Sequence, residues 1–318
     1  MRLGELSIGE LAARLRDGGV NLDFGAAAVR VRSDVRGLPE ALQAVYGEFP
    51  ALAREPFADL SVELRRKPGL RRHLRPQVEF FVDGALPFEA FPADTHLPLL
   101  EWGMNWCLAD RLNQHLLLHA GVVERAGRAI LLPALPGSGK STFTAALALS
   151  GYRLLSDEFG VVRLSDGLLL PMLRPIALKN ESIEAIAESF PRAIIGPRFP
   201  KTRKGTVAHL APQAAAVEQR HVPAAPALIV FPKFVPGSAA NIETLAKAGA
   251  FAKLSTNAFN YDLLGPRAFE AVGDLIDRCE CCRLEYGRIE EALDRVEALF
   301  ASLSAGGSPA AFHTARAD

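Results

Sequence analysis

Residues 118–162 read LHAGVVERAGRAILLPALPGSGKSTFTAALALSGYRLLSDEFGVV, and the order of apolar runs and glycines within them decides the fold. The short apolar run 129–133 is long enough for a buried strand. A glycine-rich turn follows, Pro136, Gly137, Ser138 and Gly139, before Lys140, Ser141 and Thr142 open a helical run. Phe143, Ala146, Leu147 and Leu149 carry its apolar positions, and Gly151 closes it as a helix-terminating glycine does. Residues 153–156 then predict a second strand, which delivers Asp157 and Glu158 at its C-terminal end. Strand, glycine turn, helix, strand and acidic pair together make a phosphate-binding arrangement.

The chemistry asks for these residue types in this order. Glycines let successive amides turn inward around phosphate oxygens, and a helix N-terminus adds favourable partial charge. Lys140 is spaced to neutralise β- and γ-phosphates, and the Ser141 hydroxyl to ligate Mg²⁺. A carboxylate ending the next strand holds that metal or takes a proton from an attacking hydroxyl, so Asp157 and Glu158 are candidates for both tasks. The full pattern wants glycine six residues before the lysine, and Ala134 stands there, the smallest replacement. A glycine turn before an ordinary core helix is the competing reading. The register of strand and helix and the acidic pair argue against it.

Composition bounds the surroundings. The 318 residues suit one large domain or two smaller ones, and 49% apolar content suffices for a buried core. Lys plus Arg equals Asp plus Glu at 36 each, so bulk charge argues neither for nor against nucleic acid. Four cysteines, Cys107, Cys279, Cys281 and Cys282, are too few and too clustered for a disulfide scaffold and lack a second ligand pair at zinc spacing. Reduced cysteines on a partly buried strand fit better, with the cytoplasm as the expected compartment. No signal peptide and no apolar run near ~18 residues is present, so no membrane partner is expected.

Upstream, Ser7 and Glu10 have capping-box spacing for a helix over 7–16. Residues 22–32 alternate as a strand, a helix follows Gly37-Leu-Pro, and 58–64 and 78–82 are strand-like, with a hairpin turn at Asp83-Gly84. The basic stretch 65–75 reads as a solvated loop, or alternatively as a docking surface for an acidic peptide or polyanion. It has no interleaved aromatics for nucleic acid. Residues 96–115 predict a helix whose Trp102 and Trp106 pack against the following sheet. The expected division is an α+β N-terminal domain over 1–95, a larger α/β domain over 96–303 and a disordered tail over 304–318.

His119 lies in an apolar strand just before the glycine turn. A histidine there is ordinarily core, but its place makes it a candidate site residue. Beyond Glu158 the chain predicts a hairpin over 161–173, unlike a doubly wound parallel sheet. Arg174 and Lys179 follow strand-like segments where a phosphate or acidic substrate could meet them. Residues 196–205, GPRFPKTRKG, read as a mobile basic loop able to close over substrate. Strands are expected at 206–210, 227–231, 239–245 and 282–286, and helices at 182–190, 247–257, 266–277 and 289–300.

The segments LLLHAGVVERAGRAILLPALPGSGKST, LLSDEFGVV, LRPIALKN and KGTVAHL, in this order, resemble the HPr kinase-related proteins, and within them the branch called HPr kinase-related kinase A. EWGMNWCLADRLNQHLLLHA and FNYDLLG extend the resemblance over most of the chain. It implies a kinase core of the phosphoenolpyruvate-carboxykinase type, with a mixed sheet around a P-loop. By the same resemblance, His119 stands where a histidine precedes the P-loop, and Asp157 is the proton acceptor for a substrate serine. Lys140 binds phosphate and Ser141 binds Mg²⁺. The family's acidic metal ligand before an Arg-Gly signature is missing at Met172-Leu173-Arg174-Pro175, which leaves Glu158 to stand in. Its later catalytic arginine has no clean counterpart, so Arg203 or Lys204 takes that role.

The expected activity is therefore ATP- and Mg²⁺-dependent transfer to a Ser or Thr hydroxyl of a small protein or peptide. The resemblance also implies a homo-oligomer. The competing readings are a small-molecule kinase and a nucleotide-binding switch or scaffold without chemistry.

Overall fold

The computed structural model describes residues 1–51, 58–69, 74–135 and 137–304. Part of the basic stretch (70–73), Pro136 of the glycine turn and the tail from 305 lie outside the described residues.

Helix α1 (Ile8–Asp17) starts at Ser7, whose hydroxyl accepts the Glu10 amide at 3.3 Å while Glu10 accepts the Ser7 amide at 2.9 Å, the reciprocal cap read from the spacing. The predicted strand 22–32 is two strands, β1 (Val20–Asp23) and β2 (Ala28–Ser33), paired antiparallel. Gly25, at φ +102°, turns the chain between them, and the Phe24 amide closes the turn on the Ala27 carbonyl at 2.9 Å. After α2 (Leu38–Tyr46) come β3 (Leu60–Arg66), β4 (Gln77–Val82) and β5 (Phe91–Pro92), completing a five-stranded sheet in the order β1-β2-β3-β4-β5.

Helix α3 (His96–Arg111) buries Leu99, Leu100, Met104, Cys107 and Leu108 against this first sheet and α2. It stops earlier than the predicted 96–115, because the Asn113 amide takes the Asp110 carbonyl at 2.6 Å and Asn260 takes the His115 carbonyl at 2.8 Å. Trp102 and Trp106 do not pack on the following sheet. They lie on the outer side of α3, 42% and 47% exposed, against Phe88 at ring separations of 4.5 and 5.1 Å.

The second sheet has eight strands. It is built from β6 (His115–Arg125), β7 (Arg128–Pro133), then, past α4 (Lys140–Leu149), β8 (Arg153–Ser156), β9 (Phe159–Arg163) and β10 (Leu169–Leu170). The next elements, β11 (Ile176–Lys179), α5 (Glu181–Ser189), β12 (Phe199–Thr202) and β13 (Gly205–Leu210), leave that sheet and form a three-stranded one in the order β11-β13-β12. The chain returns through α6 (Ala214–Glu218) to β14 (Ala225–Phe234) and β15 (Asn241–Thr244). Helices α7 (Lys247–Thr256), α8 (Tyr261–Leu264) and α9 (Pro266–Arg278) precede β16 (Glu280–Tyr286) and α10 (Ile289–Ser304). The large sheet runs β10-β9-β6-β7-β14-β16-β15, with β8 also on β6. β7, β14 and β16 are mutually parallel and the other pairings antiparallel, so the class is mixed α/β.

Alternation along the strands sorts two cores. Ile130 and Leu132 of β7 join Phe143 and Leu147 of α4 on one face, while Ala129 and Leu131 join Leu254 of α7 and Val272 and Leu275 of α9 on the other. Helix α4 comes so close to β6 that a Cβ on Gly121 would lie 2.1 Å from the Thr144 hydroxyl. His119 is two residues from Gly121 on β6, so it projects to the α4 face. The expected mobile loop 196–205 is instead the β12–β13 hairpin. Thr202 Oγ1 donates to the Gly205 carbonyl at 2.6 Å and accepts the Lys204 amide at 3.1 Å, and Gly205 supplies the positive φ of +82°. Among the described residues no helix is long and apolar enough to cross a membrane.

Candidate functional site

The parallel strands β7, β14 and β16 end at one edge of the large sheet, and the glycine turn leaves β7 there for α4. Gly137 and Gly139 both have positive φ, +86° and +85°. The turn is held from two sides. The Phe234 amide donates to the Ser138 carbonyl at 2.9 Å, and the Tyr286 hydroxyl donates to the Gly139 carbonyl at 3.2 Å. A Cβ on Gly139 would stand 2.6 Å from that hydroxyl and 2.9 Å from Phe234 Cβ. Ala134, where the full pattern has glycine, is buried, so its methyl is accommodated.

Lys140, the first residue of α4, is only 7% exposed, and its ammonium meets the Asp157 carbonyl and, at 3.4 Å, Asp157 Oδ1. Asp157 is buried at 3% exposure, and its Oδ2 has no hydrogen-bond partner. Ser141 and Thr142 lie half-buried on the same first turn, where the helix leaves amides without intrahelical acceptors.

Glu158 faces His119, with Oε2 3.4 Å from Nε2. Burial works against the Glu158 charge. The Lys140 ammonium, a hydrogen bond from His119 and the Lys179 ammonium outweigh it and hold the carboxyl well below the usual range. His119 is fixed on three sides. Asn257 accepts its backbone amide at 2.8 Å through its carbonyl and donates its side-chain amide to the His119 carbonyl at 2.8 Å. The Phe259 ring lies edge-on at 5.6 Å. Phe259 also borders a cleft of about 650 Å³ lined by Asp110, Asn113, Thr256, Tyr261 and Asp262.

The expected substrate cations separate into two groups. Lys179, on β11, belongs to the site: burial lowers its pKa, Glu158 opposes that, and Lys204 and Lys140 add to it. Lys204 is thus the hairpin cation beside the site, whereas Arg203 lies over the Phe91 ring at 5.4 Å. Arg174 does not reach out to a substrate. It is 6% exposed, donates to Asn105 Oδ1 and to the Glu101 carbonyl at 2.8 Å, and pairs with Glu101 Oε2 at 2.5 Å. Glu101 Oε1 in turn accepts the Tyr46 hydroxyl at 2.6 Å. A guanidinium this deep is stable only with such partners, so its charge is already used inside the fold.

No group of three or more His, Cys, Asp or Glu side chains able to hold a metal ion occurs among the described residues. The donors at hand are the Ser141 hydroxyl and the Asp157 and Glu158 carboxylates. That set suits Mg²⁺, which takes one or two carboxylates and completes its shell with phosphate and water. The ionised Glu158, and Asp157 Oδ1 on the Lys140 side, are compatible with it. The cysteines are free and buried, and burial raises the thiols of Cys107 and Cys281 to about 11.

No family model and no curated protein matches this chain.

Tyr286, Phe234 and Asn257 escape the sequence reading. Their contribution is a backbone contact made across more than 90 positions, and no local spacing marks it.

Proposed function

We propose that the chain is an ATP-dependent kinase of the HPr kinase-related kind, built on a P-loop core and transferring the γ-phosphoryl group to a Ser or Thr hydroxyl of a small protein or peptide. The observation that carries this is the meeting of Lys140 and Asp157 at 3.4 Å, with Glu158 and His119 beside them. Lysine at a glycine-turned helix start, next to a buried carboxylate, is what in-line phosphoryl transfer needs.

In this reading the turn amides and Lys140 hold the β- and γ-phosphates. Ser141 and Glu158 would hold Mg²⁺, which when bound would supply positive charge to neutralise the phosphates. Asp157 accepts the proton as the acceptor oxygen bonds to the γ-phosphorus and the bond to the β-phosphate bridging oxygen breaks, releasing ADP. Lys179 and Lys204 stabilise charge on the group in transfer. His119 orients Glu158. The cleft beside Phe259 lies next to His119 and offers the acceptor polypeptide an approach.

The test is transfer of labelled γ-phosphate from MgATP into polypeptides of the host lysate, wild type beside Asp157→Ala. Label in one small polypeptide, lost in the variant, is the expected result. ATP consumed only with metabolites would make the chain a small-molecule kinase. ATP bound and never transferred would make it a switch.

A further inference from the structure

Asp157 also borders a second, much smaller space. Asp157, Arg174, His209, Glu101 and Asn105 line a narrow cavity with about 20 Å³ open to the centre of a water-sized sphere. That volume holds one water molecule and nothing larger. Seven buried side-chain polar atoms among the described residues have no hydrogen-bond partner, and three of them belong to residues around this cavity: Asp157 Oδ2, Arg174 Nε and His209 Nδ1. Buried polar atoms are nearly always paired, so three orphans gathered at one cavity call for a common partner.

We infer that one resident water in this cavity joins Asp157 to Arg174 and His209 and makes those two side chains positioning residues for the proton acceptor, an inference that rests on the kinase reading above. The valences close. A water has two hydrogens to give and two lone pairs to receive with. It accepts the Arg174 Nε–H and donates one hydrogen to Asp157 Oδ2 and the other to Nδ1 of an uncharged His209. Burial disfavours the imidazolium at His209, 2% exposed, and supports that state. An ion fits less well, since a cation would sit against the Arg174 guanidinium and an anion against the Asp157 and Glu101 carboxylates.

With Oδ2 tethered behind, Oδ1, the oxygen 3.4 Å from Lys140 Nζ, is the one presented to the reacting groups. The tether continues through Arg174 to Glu101 on α3 and Tyr46 on α2. The N-terminal half thereby braces the carboxylate that does the chemistry. A misplacement of such a group by about 1 Å can cost up to 100-fold in rate.

The full chain is crystallised well enough to show ordered water, as wild type, His209→Phe and His209→Gln. Phosphate release from MgATP, with water as acceptor, is measured on the same three. The expected outcome is a water within hydrogen-bond reach of all three atoms in wild type and His209→Gln. In His209→Phe it is absent and the Asp157 carboxylate is turned from its wild-type rotamer. There kcat falls about tenfold with the KM for ATP unchanged, while His209→Gln stays close to wild type. An empty cavity in the wild type overturns the inference. So does a His209→Phe chain with Asp157 in place and kcat intact. A wild type that releases no phosphate leaves the kinase reading to the transfer test above, and the water and the Asp157 rotamer still decide this one.

Discussion

Lys140 shows how much one side chain depends on where its helix begins. Its ammonium is almost wholly enclosed, which a lysine tolerates only against an anion or carbonyl, and Asp157 supplies both. Replacing it with methionine keeps the apolar stem and removes the charge. Lys140→Met is expected to weaken nucleotide binding by about tenfold or more, since a charge-assisted phosphate contact is lost, and isothermal titration with ADP measures this. The contact of Lys140 with Asp157 is a finding of the fold, whereas the place of Asp157 at the end of the strand after α4 was legible from the sequence. The fate of Arg174 was not. A basic residue after a strand looks the same whether it meets a phosphate or a buried glutamate, and the partner, Glu101, lies 73 positions upstream. Between Arg203 and Lys204 sequence offered no choice. The tight turn at Gly205 makes it, sending one to Phe91 and leaving the other near Lys179.

At the scale of elements, the strand–turn–helix–strand unit was readable because each piece has its own local cause. The apolar run of β7, the glycine at the head of α4 and the glycine after it can all be read over a few residues. The β1–β2 hairpin and the early end of α3 were misread for the opposite reason, since side chains of distant residues or a single glycine set those limits. The wall of the glycine turn invites a test. Gly139→Ala puts a Cβ into the Tyr286 hydroxyl and imposes a positive φ on alanine. It is expected to lower stability by about 1–3 kcal/mol and to abolish ADP binding, read by urea denaturation and titration. Adding Tyr286→Phe removes the closest contact and should recover part of the stability. If the double variant is no more stable than Gly139→Ala alone, backbone strain and not the hydroxyl sets the loss.

Over the whole molecule, the two sheets are coupled by a buried charge pair. Glu101 belongs to the helix on the first sheet and Arg174 to the segment leaving the second, and Tyr46 closes the set. Glu101→Ala strands a guanidinium and is expected to cost about 3–5 kcal/mol in urea unfolding. Replacing both by apolar residues, Glu101→Leu with Arg174→Met, should cost less. Acid acts on two buried histidines. Burial lowers the pKa of both His96 and His209, the first partly offset by Asp94 and Glu40. Below the usual histidine pKa of about 6.5, the unfolded chain takes up protons that the folded chain refuses. Stability contributed by these two rings is therefore full at neutral pH and falls as pH drops under that value. A melting temperature that stays level from pH 7.5 to 5.5 would contradict this. The glycine turn, finally, ties the protein's assembly to its synthesis. Its wall includes Tyr286, which leaves the ribosome 147 residues after Gly139. At ordinary translation rates of about 5–20 residues per second, the turn waits on the order of ten seconds for its support. Throughout that interval the nascent chain carries the glycine turn without its full wall, and for the first part of it β7 waits with one edge unpaired for β14. A turn built this way is complete only once Tyr286 has been made.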